Sequence, residues 1–366
     1  MEKSEPEIKP MHQGKVMDKS EPEVKPMHQG KVMEKSEPGI KQMHQGMDTK
    51  VAAAKKGGET SLQGGTGLAV DEEKKKGLLH FVIYTGRLLL RDKAGAVGLV
   101  MFSMVVFAAL FAPWIAPHDP MKQNLRDSKK PPVWYEKGSM EYPLGTDNLG
   151  RDILSRIIYG SRVSLTVGFF GVLIACSLGT VIGLFSGFKG GRTDNLIMGG
   201  VNMILALPYL VFVVFIAAIL GSSLLNVILI FGFTDIPIFV RITRGEVIKM
   251  RTSGFVESAE SIGATNTRII FSHILPNLLG PIITIATFEM SAMIFYEAGL
   301  GFLGLSVPPS IPSWGNMLAA GRKYLTIYPW IATFPGLAIV FTGLGMNLLG
   351  DWLRDVLDPR MRRVKK

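Results

Sequence analysis

Six stretches of the chain each run for roughly 20 mainly apolar residues, the length a helix needs to cross the hydrocarbon core of a bilayer. They fall near 95–115, 163–185, 196–220, 224–242, 278–303 and 331–349. In lipid no water satisfies backbone N–H and C=O groups, so such segments fold as helices that bond their own main chain. The expected fold is an all-α polytopic membrane protein with six transmembrane helices. Pro208 and Pro237 lie inside the third and fourth runs and predict kinks, because proline supplies no N–H to the helical ladder.

The formal net charge of +10 does not call for a nucleic-acid partner, because the basic residues border the apolar runs instead of forming one polyanion groove. Six spans return both termini to one side. On that side fall Lys74, Lys75, Lys76, Arg87, Arg91 and Lys93, then Lys189 and Arg192, then Arg241, Arg244, Lys249, Arg251 and Arg268, and finally Arg354, Arg360, Arg362, Arg363, Lys365 and Lys366. The other side has fewer: Lys122, Arg126, Lys129, Lys130, Lys137, Arg151, Arg156 and Arg162 in a long first loop, Arg322 and Lys323 in the last. The positive-inside rule then places both termini in the cytoplasm of a multi-pass protein of the cell (inner) membrane. The first residues have no apolar core behind a basic start, so the first span is expected to direct insertion.

Residues 1–77 differ in kind from 78–366. Three near-copies, MEKSEPEIKPMHQGKV, MDKSEPEVKPMHQGKV and MEKSEPGIKQMHQG, follow at a sixteen-residue period. Each has too little apolar surface to offset the entropy of ordering it, so a disordered cytoplasmic tail is expected. His12, His28 and His44 recur in equivalent positions, but nothing fixes a ligand geometry and no metal site is assigned. The stretch EEKKKGLLHFVIYTGRLLLRDKAG, 72–95, reads as a helix lying along the membrane surface ahead of the first span. Cys176, the single cysteine, excludes an intrachain disulfide and a thiolate metal centre.

Nothing in the chain reads as catalytic. There is no phosphate-binding loop: GFKGGRTD, 187–194, has glycines without the required spacing or Lys-Thr pair. His80, His118 and His273 are isolated from one another, and the carboxylates lack an evident partner. Nucleotide must bind elsewhere.

One polar stretch, ESAESIGATNTRIIFSHILP, 257–276, stands between two apolar runs. Ser253 is a plausible N-cap, and Glu257 and Glu260 favour the positive end of a short helix. Phe255, Val256, Ala259 and Ile262 recur at helical spacing and predict one apolar face. Gly263 stops the helix in a left-handed conformation, Thr265 caps a second one carrying Ile269, Ile270 and Ile274, and Pro276 opens the fifth span. An amphipathic connector on lipid headgroups is the plain alternative, but the polar face carries carboxylates and small side chains instead of a Lys/Arg comb. A groove on another protein fits that face better.

Glu257, Ala259, Gly263, Ile274, Leu275 and Pro276 resemble the EAA loop of permeases in ATP-binding-cassette importers, with Ser258 at the first Ala position and Ile directly before Leu-Pro. The region FVESAESIGATNTRIIFSHILPNLLGPI is similar to the peptide and nickel branch of that family, as are LGTDNLGRDILSRIIYGSRVSL (144–165), GFLGLSVPPSIPSWGNML (301–318) and NLLGDWLRDVLDPR (347–360). The resemblance covers nearly everything from residue 78 onward and implies a permease domain with a cytoplasmic two-helix coupling loop at 246–276. It implies partners as well: a second permease subunit, two ATPase subunits that bind ATP and Mg, an external substrate-binding protein, and membrane lipid. No cofactor is bound by the permease itself. Di- or oligopeptide uptake is the expected function, with nickel or another small solute as the alternative and a secondary transporter or channel as the rival class.

Glu289 and Glu297 fall in the fifth span, where an ionisable residue is a functional candidate by default. Eight residues apart, they are separated by roughly 80° on a helical wheel and are candidates for the translocation path. Asp235 in the fourth span is a weaker one. Asp147, Arg151, Asp152 and Arg162, ahead of the second span, form an ion-paired plug or an external dock, or else maintain the local fold.

Overall fold

The computed structural model describes residues 92–357. The repeats of 1–77, the surface helix up to residue 91 and the final basic cluster from residue 358 lie outside the described residues. Twelve α-helical segments follow in order: α1 (Lys93–Leu110), α2 (Ala112–Ile115), α3 (Ile153–Lys189), α4 (Gly191–Leu205), α5 (Tyr209–Leu220), α6 (Leu224–Thr234), α7 (Ile236–Arg251), α8 (Gly254–Ser261), α9 (Asn266–Arg268), α10 (Leu275–Phe302), α11 (Trp314–Gly321) and α12 (Trp330–Leu357). No described residue belongs to a strand, and one isolated bridge joins Thr146 to Asp152.

Five of these runs are long and apolar enough to cross a membrane: α1, α3, α6 with α7, the run Asn266–Phe302, and α12. α4 with α5, bent by 84° at their junction, are together long and apolar enough for a sixth. The kink expected at Pro208 is thus a break, since Pro208 stands just before α5 with no N–H to offer and the chain from residue 202 to 208 is exposed. The fourth span is interrupted at Asp235, with Pro237 in the first turn of α7 where its missing N–H leaves no bond unmade.

Several expected boundaries move, the last span running on to Leu357, and two of the shifts relocate charged residues. The second span begins at Ile153, not 163, because Asp152 accepts from the Ser155 N–H at 2.9 Å and starts the helix a full ten residues earlier. Arg156 and Arg162 therefore belong to α3 and not to the outer loop. The fourth span continues as helix to Arg251, so Arg241, Arg244 and Lys249 extend along it instead of sitting in a connector.

α3 is the hub of the fold and packs against α1, α6, α7 and α10, while α12 covers α1, α10 and α11. Three apolar clusters lie between them. One joins α3, α5, α6 and α10 around Val167, Phe231 and Met293. A second, around Trp314, Ile294 and Ile331, ties α10 to α11 and α12 at one end of the spans. The third, around Val247, Ile274 and Leu278, lies at the opposite end of the spans.

Lipid tails are as apolar as leucine, so close backbone approach has to supply much of the helix–helix attraction. At the crossing of α1 and α12, Gly98 and Gly345 stand face to face: a Cβ on Gly98 would run into Leu348 and the Gly345 carbonyl, one on Gly345 into Met101. Gly98→Leu or Gly345→Leu is expected to lose about 1 to 3 kcal/mol through overpacking. Gly199→Leu, at a position with open space around it, is expected to be close to neutral, and thermal unfolding in detergent compares the three.

Candidate functional site

The segment after α7 is built as an elbow. α8 carries Val256 and Ala259 on its buried side, and both enter the third apolar cluster with Leu184 of α3, Val247 of α7, and Ile269, Ile274, Leu278 and Ile282. A short helix with so little apolar surface holds its place only through such packing. Glu257, Ser258, Glu260 and Ser261 form the exposed side, where the Ser258 and Ser261 hydroxyls donate to Gly254 O and Glu257 O at 2.7 and 2.8 Å.

α8 ends at a turn. Gly263 has φ +78°, a left-handed conformation that costs glycine little. Its N–H donates to Glu260 O at 2.9 Å and that of Ala264 to Ala259 O at 3.0 Å, which closes the last carbonyls of α8. Thr265 then caps α9, accepting from Arg268 N at 3.5 Å.

Three expectations about this stretch are corrected. Ser253 occupies the N-cap position of α8, yet its hydroxyl donates backward to the Met250 carbonyl and caps nothing. Phe255 and Ile262 do not join the buried face: Phe255 is 45% exposed and Ile262 85% exposed. The second arm is not a separate short helix but the first part of one helical run from Asn266 to Phe302. Within that run Ile269–Ile274 take the wider π register. Pro276 explains it, since proline withholds the N–H that an α register would direct at the Ser272 carbonyl. Asn277 Nδ2 donates to His273 O at 2.6 Å just beyond.

The elbow therefore has two sides with different chemistry. Its inner side is keyed to the ends of α3, α7 and α10. Its outer side offers two carboxylates at Glu257 and Glu260 together with the exposed apolar side chains of Phe255, Ile262 and Phe271. An isoleucine exposed at the tip of a turn gains free energy when a partner covers it, and a carboxylate beside it selects a basic partner. Sequence periodicity counted Phe255 and Ile262 as core because it treats every apolar position at helical spacing as inward.

The outer-loop candidates are turned inward. Asp147 accepts from Arg151 Nε at 2.7 Å and from the Leu149 and Arg151 N–H groups at 2.8 and 3.0 Å, with Arg156 Nε at 3.8 Å. Asp152 caps α3 and accepts from the Ser155 hydroxyl at 2.5 Å. Asp147, Arg151 and Asp152 are all buried. Arg162 donates to Ala109 O and Leu110 O at 2.6 and 3.2 Å, closing the carbonyl end of α1. Their partners are within the chain, so their placement fits local fold maintenance. Nearby, the Lys130 ammonium, 2.6 Å from Asp127, holds that carboxyl below the usual carboxylate range.

The two glutamates of α10 part company. Glu297 is wholly enclosed and accepts from Ser164 Oγ at 3.0 Å and Ser306 Oγ at 2.9 Å, tying α10 to α3 and to the chain beyond Leu303. Glu289 is half-buried and Asp235 fully so. An apolar groove of about 580 Å³ between α1, α3 and α12, lined by Met101, Met104, Ile157, Leu337 and Phe341 among others, has no charged side chain and lies apart from both acidic features.

Residues 179–363 match the family of binding-protein-dependent transport system inner membrane components, and residues 84–132 match the N-terminal transmembrane domain of oligopeptide transport permease C. The chain is 42% identical over 273 residues to the di/tripeptide transport system permease protein DppC of Pseudomonas aeruginosa, covering 75% of this chain and 90% of that one. It is 41% identical to the dipeptide transport system permease protein DppC of Haemophilus influenzae, again over 75% of this chain and 92% of the relative. A crystal structure of the MetNI methionine ABC transporter is similar over 56% of this chain and 96% of its own, at 18% identity and a TM-score of 0.47.

The inner side of the elbow is open to a direct check. Val256→Asp sets a carboxylate where Ile269 and Ile274 pack, at a cost of several kcal/mol unless α8 detaches. Limited proteolysis of the membrane-embedded protein is expected to cut the variant between residues 252 and 268 at least about tenfold faster than the parent chain, because cleavage follows the population of the open form.

Proposed function

This chain belongs to the family of binding-protein-dependent transport system inner membrane components, and from that premise we propose that it forms half of a peptide path through the membrane, driven by separate ATPases. Relatives named as dipeptide and di/tripeptide permeases, aligned over three quarters of the chain, support the peptide as cargo. The partners are a second permease subunit, two ATPase subunits that hold ATP and Mg, and an external substrate-binding protein. Both termini are cytoplasmic in this reading, supported by Lys249, Arg251 and Arg268 around the elbow. ATP is hydrolysed by the partner subunits.

One observation carries the mechanism. The elbow presents Glu257, Glu260 and Ile262 outward while Val256 and Ala259 lock it to α3, α7 and α10. In the proposal the outer side seats in an ATPase cleft, with Glu257 against a basic side chain there and Ile262 in an apolar recess. Gly263 sets the angle between the arms, and Ile274, Leu275 and Pro276 pass a displacement of α8 into α10 without a flexible joint. A partly desolvated ion pair of this kind contributes about 1 to 3 kcal/mol. That is enough to bias a two-state machine without locking it. Glu289 faces the path, while Glu297 braces the wall behind it.

Reconstituted vesicles containing the complete importer test this reading. Glu257→Lys reverses the charge at the contact, and Gly263→Pro forces φ from +78° toward about −65° while removing the N–H that closes α8. Each variant is expected to reach the membrane and to lower peptide uptake per ATP hydrolysed at least about tenfold, the loss of one charged contact. Full uptake by either variant contradicts the proposed coupling.

A further inference from the structure

Asp235 is 1% exposed, and neither carboxylate oxygen has a hydrogen-bond partner. It stands between α6 and α7 and does not cap α7. An isolated ionised carboxylate in such surroundings is costly, so the position is built to meet a cation or to hold a proton. The basic residues of α7 do not supply the charge. Arg241 donates to Asn202 Oδ1 at 3.1 Å, Arg244 makes two bonds to Asp194 at 2.5 and 2.6 Å, Lys249 pairs with Glu246 at 2.5 Å, and Arg251 lies over the Phe188 ring.

The groups that do face Asp235 share one character. The buried Tyr209 hydroxyl, also without a hydrogen-bond partner, is within electrostatic reach of the Asp235 carboxylate, and the Tyr209 ring lies 4.7 Å from that of Tyr296. Glu289, seven residues before Tyr296 on α10, is within electrostatic reach of Asp235. Asp235 stands 11 residues beyond Leu224 in the span Leu224–Arg251 and Glu289 14 residues beyond Leu275 in α10, Leu275–Phe302, so each is well removed from both ends of its helix. Tyr209 is the first residue of α5 at the 84° break, and residues 202–208 leading to it are exposed. Irregular backbone at membrane depth persists where it lines a cavity or a protein interface.

We propose that Asp235, Glu289, Tyr209 and Tyr296 form a mid-membrane site for an organic ammonium group and, resting on the peptide-permease reading above, that this group is the amino terminus of the passing peptide. Asp235 and Glu289 supply the opposing charge, the Tyr209 oxygen accepts from the ammonium, and the two rings present negative faces to it. A site of this kind offsets the loss of the ammonium's hydration at the depth where that loss is greatest. Peptide side chains make no demand on it, which suits a path that passes many sequences.

The complete importer, reconstituted with its binding protein and ATPases, is given a dipeptide whose first residue carries a diazirine side chain, and uptake and photo-adducts are measured per assembled complex. Adducts on α5, on α10 near 289–296 or around Asp235 are expected in the parent protein. Asp235→Asn is expected to reduce both adducts and uptake at least about tenfold, Glu289→Gln by a smaller factor, and Asp235→Glu to restore part of the loss. Equal uptake and an unchanged adduct pattern in Asp235→Asn and Glu289→Gln overturn the site while leaving the peptide reading intact, as do adducts confined to other spans. If the parent protein takes up no dipeptide, the peptide reading fails and the site falls with it. Uptake lost in Asp235→Asn and not restored at all in Asp235→Glu, with adducts unchanged, assigns Asp235 a structural role and overturns the proposal.

Discussion

Within the hydrocarbon core every backbone N–H and C=O must find its partner in the protein, and this requirement orders the rest of the structure. A long helix without proline meets it unaided, as α3 does. Each departure from regular helix then has an identifiable cause. Pro208 cannot supply an N–H and α4 gives way to α5 with an 84° change of direction. Pro276 cannot either, and the turn before it widens into a π segment. The first departure leads into the acidic cluster around Asp235, and the second forms the stem of the elbow. A third departure is the interruption of the fourth span at Asp235, ahead of Pro237, and the proposed site and the proposed coupling surface lie beside these three.

The same logic explains which charged residues are structural. Asp147 pairs with Arg151 and lies 3.8 Å from Arg156 Nε, and Asp152 caps the first turn of α3. Arg162 closes α1, Arg244 holds Asp194, and Glu297 gathers two serine hydroxyls. A buried charge held by partners in its own chain stabilises one arrangement of helices and has less to offer a ligand. Asp235 lacks such partners. Glu257 and Glu260 are exposed at the tip of the elbow and are free to meet another protein.

Much of this was legible in the residue pattern. Apolar runs of bilayer length gave the spans, glycine at 263 gave the turn, and alternating Glu, Ser and Ala around it gave an elbow with a polar outer side. Other features were not readable, for reasons of physics more than of information. A helix start set by Asp152 depends on the side chain reaching the Ser155 N–H, which polarity alone does not reveal, and so the second span appeared to begin ten residues late. Phe255 and Ile262 were counted as core because periodicity cannot distinguish a side chain facing its own protein from one facing a partner. Glu289 and Glu297 looked equivalent at eight residues' separation, and only the approach of Ser164 and Ser306 from other segments separates them. Proline positions foretold interruptions but not their size.

The account stands on the elbow being the surface that meets the ATPase. A photoreactive probe attached at Glu257→Cys, in a chain where Cys176→Ser removes the one native thiol, reads that contact directly in the assembled importer. The account predicts that illumination joins this chain to an ATPase subunit in high yield, and that the adduct traps the importer in one conformation. Adducts formed with phospholipid alone, in a complex that contains both ATPases, would contradict it.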